Sequence, residues 1–135
     1  PLAGAIIITT PQDVAPAAAR KGLKMFEAVN VPVLGVIENM SSFICSCCDK
    51  ETEIFGSGGG ERLAQESGVT LLGKLPLDGR IRAETDGGRP TVVADPDGPI
   101  AKRYREIARA AAAALAKRPK DQRGKFGTIV VEGRK

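Results

Sequence analysis

The sequence predicts an open α/β fold built on a partial parallel sheet. Three observations carry that prediction. Short apolar runs recur at Gly4–Thr9 (GAIIIT), Val33–Glu38 (VLGVIE) and Leu71–Leu75 (LLGKL), each of strand length and bounded by turn residues. Stretches with helical spacing separate them, and strand–helix alternation in this rhythm means βαβ units. Composition over the 135 residues, 42% hydrophobic and 27% charged, is that of one ordinary globular domain.

The elements follow in order. Gly4–Thr9 reads as a strand buried on both faces, as in parallel sheets. A helix follows over Val14–Val29. Pro16 sets its start: with Asp13 as the cap, the proline falls in the first turn, where its missing N–H is not needed. With Thr10 as the cap it would sit inside the helix at a cost of about 3 kcal/mol. Asn30-Val31-Pro32 ends the helix, and Val33–Glu38 is the second buried strand. Residues 39–60 read as a loop that ends in Gly58-Gly59-Gly60. Glu61–Ser67 is a short helix stopped by Gly68. Leu71–Leu75 is the third strand, closed by Pro76, and Ile81–Thr85 a short helix before Gly87-Gly88. Ile100–Lys117 is a clear helix, with Ile100, Tyr104, Ile107, Ala108, Ala111 and Leu115 predicted to share its buried face. Residues 119–135 read as a basic tail with a terminal strand at Thr128–Glu132.

Charge and length exclude several classes. The net charge of +4 gathers in the tail, at Lys117, Arg118, Lys120, Arg123, Lys125, Arg134 and Lys135. Phe126 is the one aromatic residue within this run, so a solvated tail explains it better than a nucleic-acid groove. No apolar run approaches the ~20 residues that span a bilayer. The first residues, without methionine and running straight into Ile6-Ile7-Ile8, read as a piece of a longer protein cut before a strand.

The chemistry concentrates in Cys45-Ser46-Cys47-Cys48, which holds all three cysteines of a chain without histidine. Clustered cysteines read as a ligand or redox group in a reducing compartment rather than a disulfide framework. Three readings stay open: a dithiol of thioredoxin type, a metal or iron–sulfur site, and incidental thiols. A closed tetrahedral site needs four ligands and the C-x-x-C pair supplies two, so a bound metal or cluster would take the rest from a second copy of the chain. Gly56-Ser57-Gly58-Gly59-Gly60-Glu61 lacks the Lys and Ser/Thr of a phosphate loop, and reads as glycines that let the backbone turn tightly. Asn39 and the Leu75-Pro76-Leu77-Asp78 run stand at carboxyl ends of predicted strands, where open α/β sheets bind ligands, though from spacing alone turn chemistry is the better explanation.

Together these segments resemble the Mrp/ApbC family of iron–sulfur cluster carrier ATPases, a ParA/MinD-like branch of the P-loop NTPases. The resemblance runs through Thr9–Ala15, Ala19–Gly22 and Val31–Ser41, then Phe43–Cys45, Cys48, Thr52–Gly56 and Gly58–Ala64. It continues at Leu72-Gly73, Leu75–Asp78 and Gly88–Pro90, and covers Leu2 to Leu115. It implies a Rossmann-like P-loop NTPase fold of the deviant Walker A class, with its N-terminal half missing. Residues 1–118 would form the C-terminal half of that domain, with the cysteine loop at 41–56. It further implies a cytoplasmic homodimer that binds ATP and Mg²⁺, carries a [4Fe–4S] cluster between subunits and passes it to apo iron–sulfur proteins. By position, Cys45 and Cys48 would be the cluster ligands, and Asn39, Pro76 and Asp78 the residues near adenine. Two departures stand out. Ser46 and Cys47 replace the family's usual Pro and non-Cys residue between the two cysteines, and the Walker A lysine and switch aspartate of the family lie upstream of Pro1. The chain alone is therefore expected not to hydrolyse ATP. A non-enzymatic, zinc-bridged dimeric module with a vestigial nucleotide site is the alternative.

Overall fold

A computed structural model describes residues 2–12 and 15–118 of the chain. Three parallel strands form the main sheet: β1 (Ala5–Thr9), β2 (Val33–Glu38) and β5 (Leu71–Lys74), in the order β1-β2-β5. Ile7 stands beside Val36 and Ile8 beside Ile37, while Ile37 stands beside Gly73 on the other flank of β2. Helix α1 (Ala15–Ala28) makes the first crossover. Its start agrees with the proline argument to within a residue or two, and Asp13, the expected cap, lies outside the described residues. The expected terminal strand Thr128–Glu132 and the basic tail from residue 119 lie outside them as well.

Two cores form because the strands alternate their side chains across the sheet. On one face Ile7 and Val36 pack with Leu23 of α1 and with Leu63 and Ala64 of α2 (Gly59–Glu66). On the other, Ile37, Leu72 and Leu75 pack with Ile107 of α5 (Pro99–Ala116), flanked by Tyr104 and Ala110, Ala111 and Ala114. The remaining helices, α3 (Gly79–Asp86) and α4 (Thr91–Ala94), link β5 to α5.

Several sequence expectations need correction. β1 is not buried on both faces: Ile7 is 7% exposed, but Ile6 is 37% and Ile8 63% exposed. Helix α5 packs on β5 and β2 rather than on β1, so among the described residues no helix packs over the second face of β1. On α5 itself, Ala108 and Leu115 point outward, and the covered stripe runs instead through Ile100, Ala101, Tyr104, Ile107 and Ala111. Residues 39–60 are not one loop. They contain an antiparallel hairpin, β3 (Phe43–Ile44) with β4 (Glu51–Thr52), and the following helix starts at Gly59 rather than Glu61. The four-residue α4 has no counterpart in the sequence reading.

Candidate functional site

The candidate residues gather where β2 and β5 end. Past its last residue the chain of β2 stays beside that of β5. The Ser41 N–H and hydroxyl both donate to the Leu75 carbonyl, at 2.9 and 3.0 Å, and the Leu77 N–H donates to the Ser42 carbonyl at 2.6 Å. Phe43 then bridges Leu77 in parallel. This prolonged pairing sets Asn39 and Pro76 on neighbouring segments at the carboxyl edge, with the cysteine hairpin rising directly beyond them.

Asn39 is half-buried and anchored by its backbone N–H, which donates to the Thr9 carbonyl at 2.8 Å. Its side-chain oxygen accepts from the Met40 N–H at 2.9 Å, and the residue lines an open groove of ≈ 480 Å³ shared with Ile8, Thr10 and Ala18. Pro76 is fully buried. Asp78 caps α3: its carboxylate accepts from the Arg80 N–H at 2.8 Å and pairs with the Arg80 guanidinium at 2.7 Å. That guanidinium holds the Asp78 carboxyl below its ordinary value, with the Arg80 amide adding to the effect.

The hairpin is closed by Cys45, whose N–H donates to the Lys50 carbonyl at 3.0 Å and whose carbonyl accepts from the Asp49 N–H at 2.9 Å. Asp49 adopts a left-handed φ of 55°, a conformation that Asp tolerates better than most residues. The turn aims the amides of Cys47 and Cys48 at the Cys45 sulfur, and the thiols of Cys48 and Cys47 also lie within hydrogen-bonding reach of it. These donors, the Cys47 amide foremost, hold the Cys45 thiol below its ordinary value and favour the thiolate, the form that ligates soft metals. Cys45 is half-buried, while Cys47 and Cys48 are exposed and all three are free thiols. Among the described residues, no group of three or more His, Cys, Asp or Glu side chains could hold a metal by itself.

The sequence reading missed the groups that fix this hairpin in place. Glu51 of β4 accepts from the Ser42 hydroxyl and pairs with Arg103 of α5 at 3.3 Å. The Ser42 hydroxyl, then the Arg103 charge, holds the Glu51 carboxyl below its ordinary value. It also missed Glu38, only 1% exposed at the end of β2. One Glu38 oxygen accepts from the Gly60 N–H at 2.6 Å, and the other lies 3.8 Å from Lys74 Nζ, which pairs with Glu61 at 2.9 Å. The glycine run therefore has a packing purpose. A Cβ on Gly59 would lie 2.5 Å from the Pro11 carbonyl oxygen, and one on Gly60 2.8 Å from Glu38 Cβ. The start of α2 is answered by the protein's own carboxylate, which fits the reading of these glycines as backbone devices rather than a phosphate cradle. The available signal was an acidic residue closing an otherwise apolar strand.

A parallel sheet with helices on both faces and its candidate residues at the carboxyl edge defines an open, Rossmann-like α/β protein, the architecture in which ligands bind at that edge. Comparison with known proteins specifies the class further. The family model described as ParA, NUBPL iron-transfer P-loop NTPase, matches residues 1–112, and the chain belongs to that family. It is 55% identical over 108 residues to the iron-sulfur cluster carrier protein of Pseudomonas fragi, across 80% of this chain and 38% of that protein. Among solved structures, a nucleotide-binding protein in complex with ADP from Archaeoglobus fulgidus is similar at 32% identity and a TM-score of 0.57, across 70% of this chain and 38% of that one. The septum site-determining protein MinD with Mg-ADP from Pyrococcus horikoshii shares the fold at a TM-score of 0.64 and 23% identity, over 84% of this chain and 44% of that one. The chain spans about a third of the length of the curated relatives it matches. Among the described residues no helix is long and apolar enough to cross a membrane.

Proposed function

We infer that the chain is the cluster-binding and base-reading part of an ATP-dependent iron–sulfur carrier. Two copies meet at their cysteine hairpins, and Cys45 and Cys48 of each hold one [4Fe–4S] cluster that is passed to apo iron–sulfur proteins. The observation that carries this reading is the hairpin itself. It presents two neighbouring sulfurs on a short turn, one already favoured as thiolate, with too few ligands in one chain to close a site. Relatives named as iron–sulfur cluster carriers and transfer proteins support the cargo. Phe43 and Ile54, exposed near the thiols, supply apolar surface that an opposing copy would cover. Asn39, Pro76 and Asp78 would line the adenine end of the nucleotide site, with ATP and Mg²⁺ phosphate contacts supplied by segments outside this chain. In that site Asp78 acts chiefly by holding the start of α3.

The test is anaerobic reconstitution with iron and sulfide, read by metal content, visible absorption and molecular mass. A dimer with iron and sulfide and a broad absorption band is the expected product. Cys45→Ser and Cys48→Ser should abolish it, whereas Cys47→Ser should leave most of it. A colourless zinc-loaded dimer would instead favour the non-enzymatic module. Added ATP should not be hydrolysed by this chain alone, since the lysine and metal that neutralise phosphate charge lie elsewhere.

A further inference from the structure

The hairpin holds a third sulfur that the proposed cluster does not use. Cys47 is exposed and stands between the two candidate ligands. Closure of the turn by the Cys45–Lys50 and Cys45–Asp49 backbone hydrogen bonds places Cys47 on the same tight turn as Cys45, two residues away. A disulfide accepts Cα separations of about 4.4–6.8 Å, which residues two apart on a turn can meet. Cys47 and Cys48 are adjacent, and bonding them to each other would strain the intervening peptide. Cys45 is thus the partner available to Cys47.

We propose that Cys47 is a thiol-modification site, which takes up a low-molecular-weight disulfide and passes the oxidation to Cys45, so that a Cys45–Cys47 disulfide removes a cluster ligand. The consequence for the cluster rests on the function proposed above; the thiol chemistry does not. In the first step the Cys47 sulfur attacks one sulfur of the small disulfide. A Cys47 mixed disulfide forms and one small thiol leaves with the Cys47 proton. In the second, the Cys45 sulfur attacks Cys47 Sγ, and the other small thiol leaves with the Cys45 proton, or with a proton from water where Cys45 has been a cluster ligand. Two protein thiols are oxidised and one disulfide is reduced to two thiols. With a cluster bound, Cys45 and Cys48 are occupied, so Cys47 is the hairpin thiol open to the first attack. Loss of Cys45 leaves that copy a single ligand, and the cluster is released.

The reduced, metal-free 135-residue chain is mixed anaerobically with glutathione disulfide, quenched with iodoacetamide at intervals and mapped by fragmentation mass spectrometry. A transient glutathione adduct on Cys47 should precede a Cys45–Cys47 disulfide with Cys48 alkylated, and Cys47→Ser should slow thiol loss at least tenfold. A Cys45–Cys48 disulfide forming at the same rate in both proteins would overturn the proposal, and so would a Cys47 adduct that never resolves. In a second arm, reconstituted wild type should lose its visible absorption at least fivefold faster than reconstituted Cys47→Ser on addition of glutathione disulfide. Equal rates would remove the link to cluster release. If neither protein loads iron, the carrier reading fails while the mapping still decides the modification site.

Discussion

Helices α2 and α3 are each eight residues long and each follows the carboxyl edge of the sheet, yet they are held in opposite ways. Helix α2 buries Gly59, Gly60, Leu63 and Ala64, and its first turn is tied to Glu38 of β2. Helix α3 buries no residue, and its first turn is tied to its own cap, Asp78. The first is a tertiary element: it fixes the exit of the cysteine hairpin to the strand whose next residue is Asn39. The second is a local element that depends on capping and on surface ion pairs. The hairpin and the carboxyl edge at Asn39 are thus joined through α2, while α3 can fray without disturbing either core.

Substitutions at matched places break or sharpen this contrast. The largest effect is expected for Glu38→Ala, which strands the buried Gly60 N–H and removes a charge from beside Lys74. Loss of about 3 kcal/mol is expected in urea unfolding, with exchange protection lost first in α2. A change below about 1 kcal/mol would mean that α2 stands on apolar packing alone.

Next is a pair at the first residue of each helix. Gly59→Ala drives a Cβ into the Pro11 backbone and should cost about 2 kcal/mol. Gly79→Ala meets nothing within 4 Å and should be neutral or stabilise by up to about 1 kcal/mol. Similar losses at both positions, measured by thermal unfolding, would erase the distinction.

Asp78→Ala should cost about 1 kcal/mol at neutral pH. Because the Asp78 carboxyl titrates below its ordinary value, its contribution is complete above about pH 4, the unfolded carboxyl value, and is lost as pH falls through the lower folded value. Wild type and variant should therefore converge in acid, and a gap that persists below about pH 2 would assign the effect to packing instead. The smallest effect is expected at Asp86→Ala. Its i,i+4 pair with Arg82 is exposed, 2.9 Å long and in the less favourable chain direction, so at most about 0.3 kcal/mol should be lost, and less in high salt.

The three main strands were legible because Ala5–Thr9, Val33–Glu38 and Leu71–Lys74 are apolar runs of strand length bounded by turn residues. Helix α5 was legible from its length, but its face was misjudged, since an alanine-rich stretch from Ala108 to Ala114 offers several stripes of similar hydrophobicity. The exposure of Ile6 and Ile8 was hidden because it depends on where α5 lies, not on β1 itself. Strands of two residues, such as Phe43–Ile44 and Glu51–Thr52, are too short to show a period. Glu38 was read as a strand end because its partner Gly60 lies 22 residues away, beyond any local pattern. The cysteines proposed as ligands are different: their type and spacing suggest the chemistry whatever the surrounding fold.

The hairpin closes between Cys45 and Lys50, whereas joining β1 to β2 brings Ile7 beside Val36 and joining β2 to β5 brings Val36 beside Leu71. Chain closure over such longer spans costs on the order of 1–2 kcal/mol more in entropy than closure of the hairpin turn. The thiols are therefore gathered at a lower entropic cost than the sheet, and contacts from α5 and from the end of β5 then hold the turn in place.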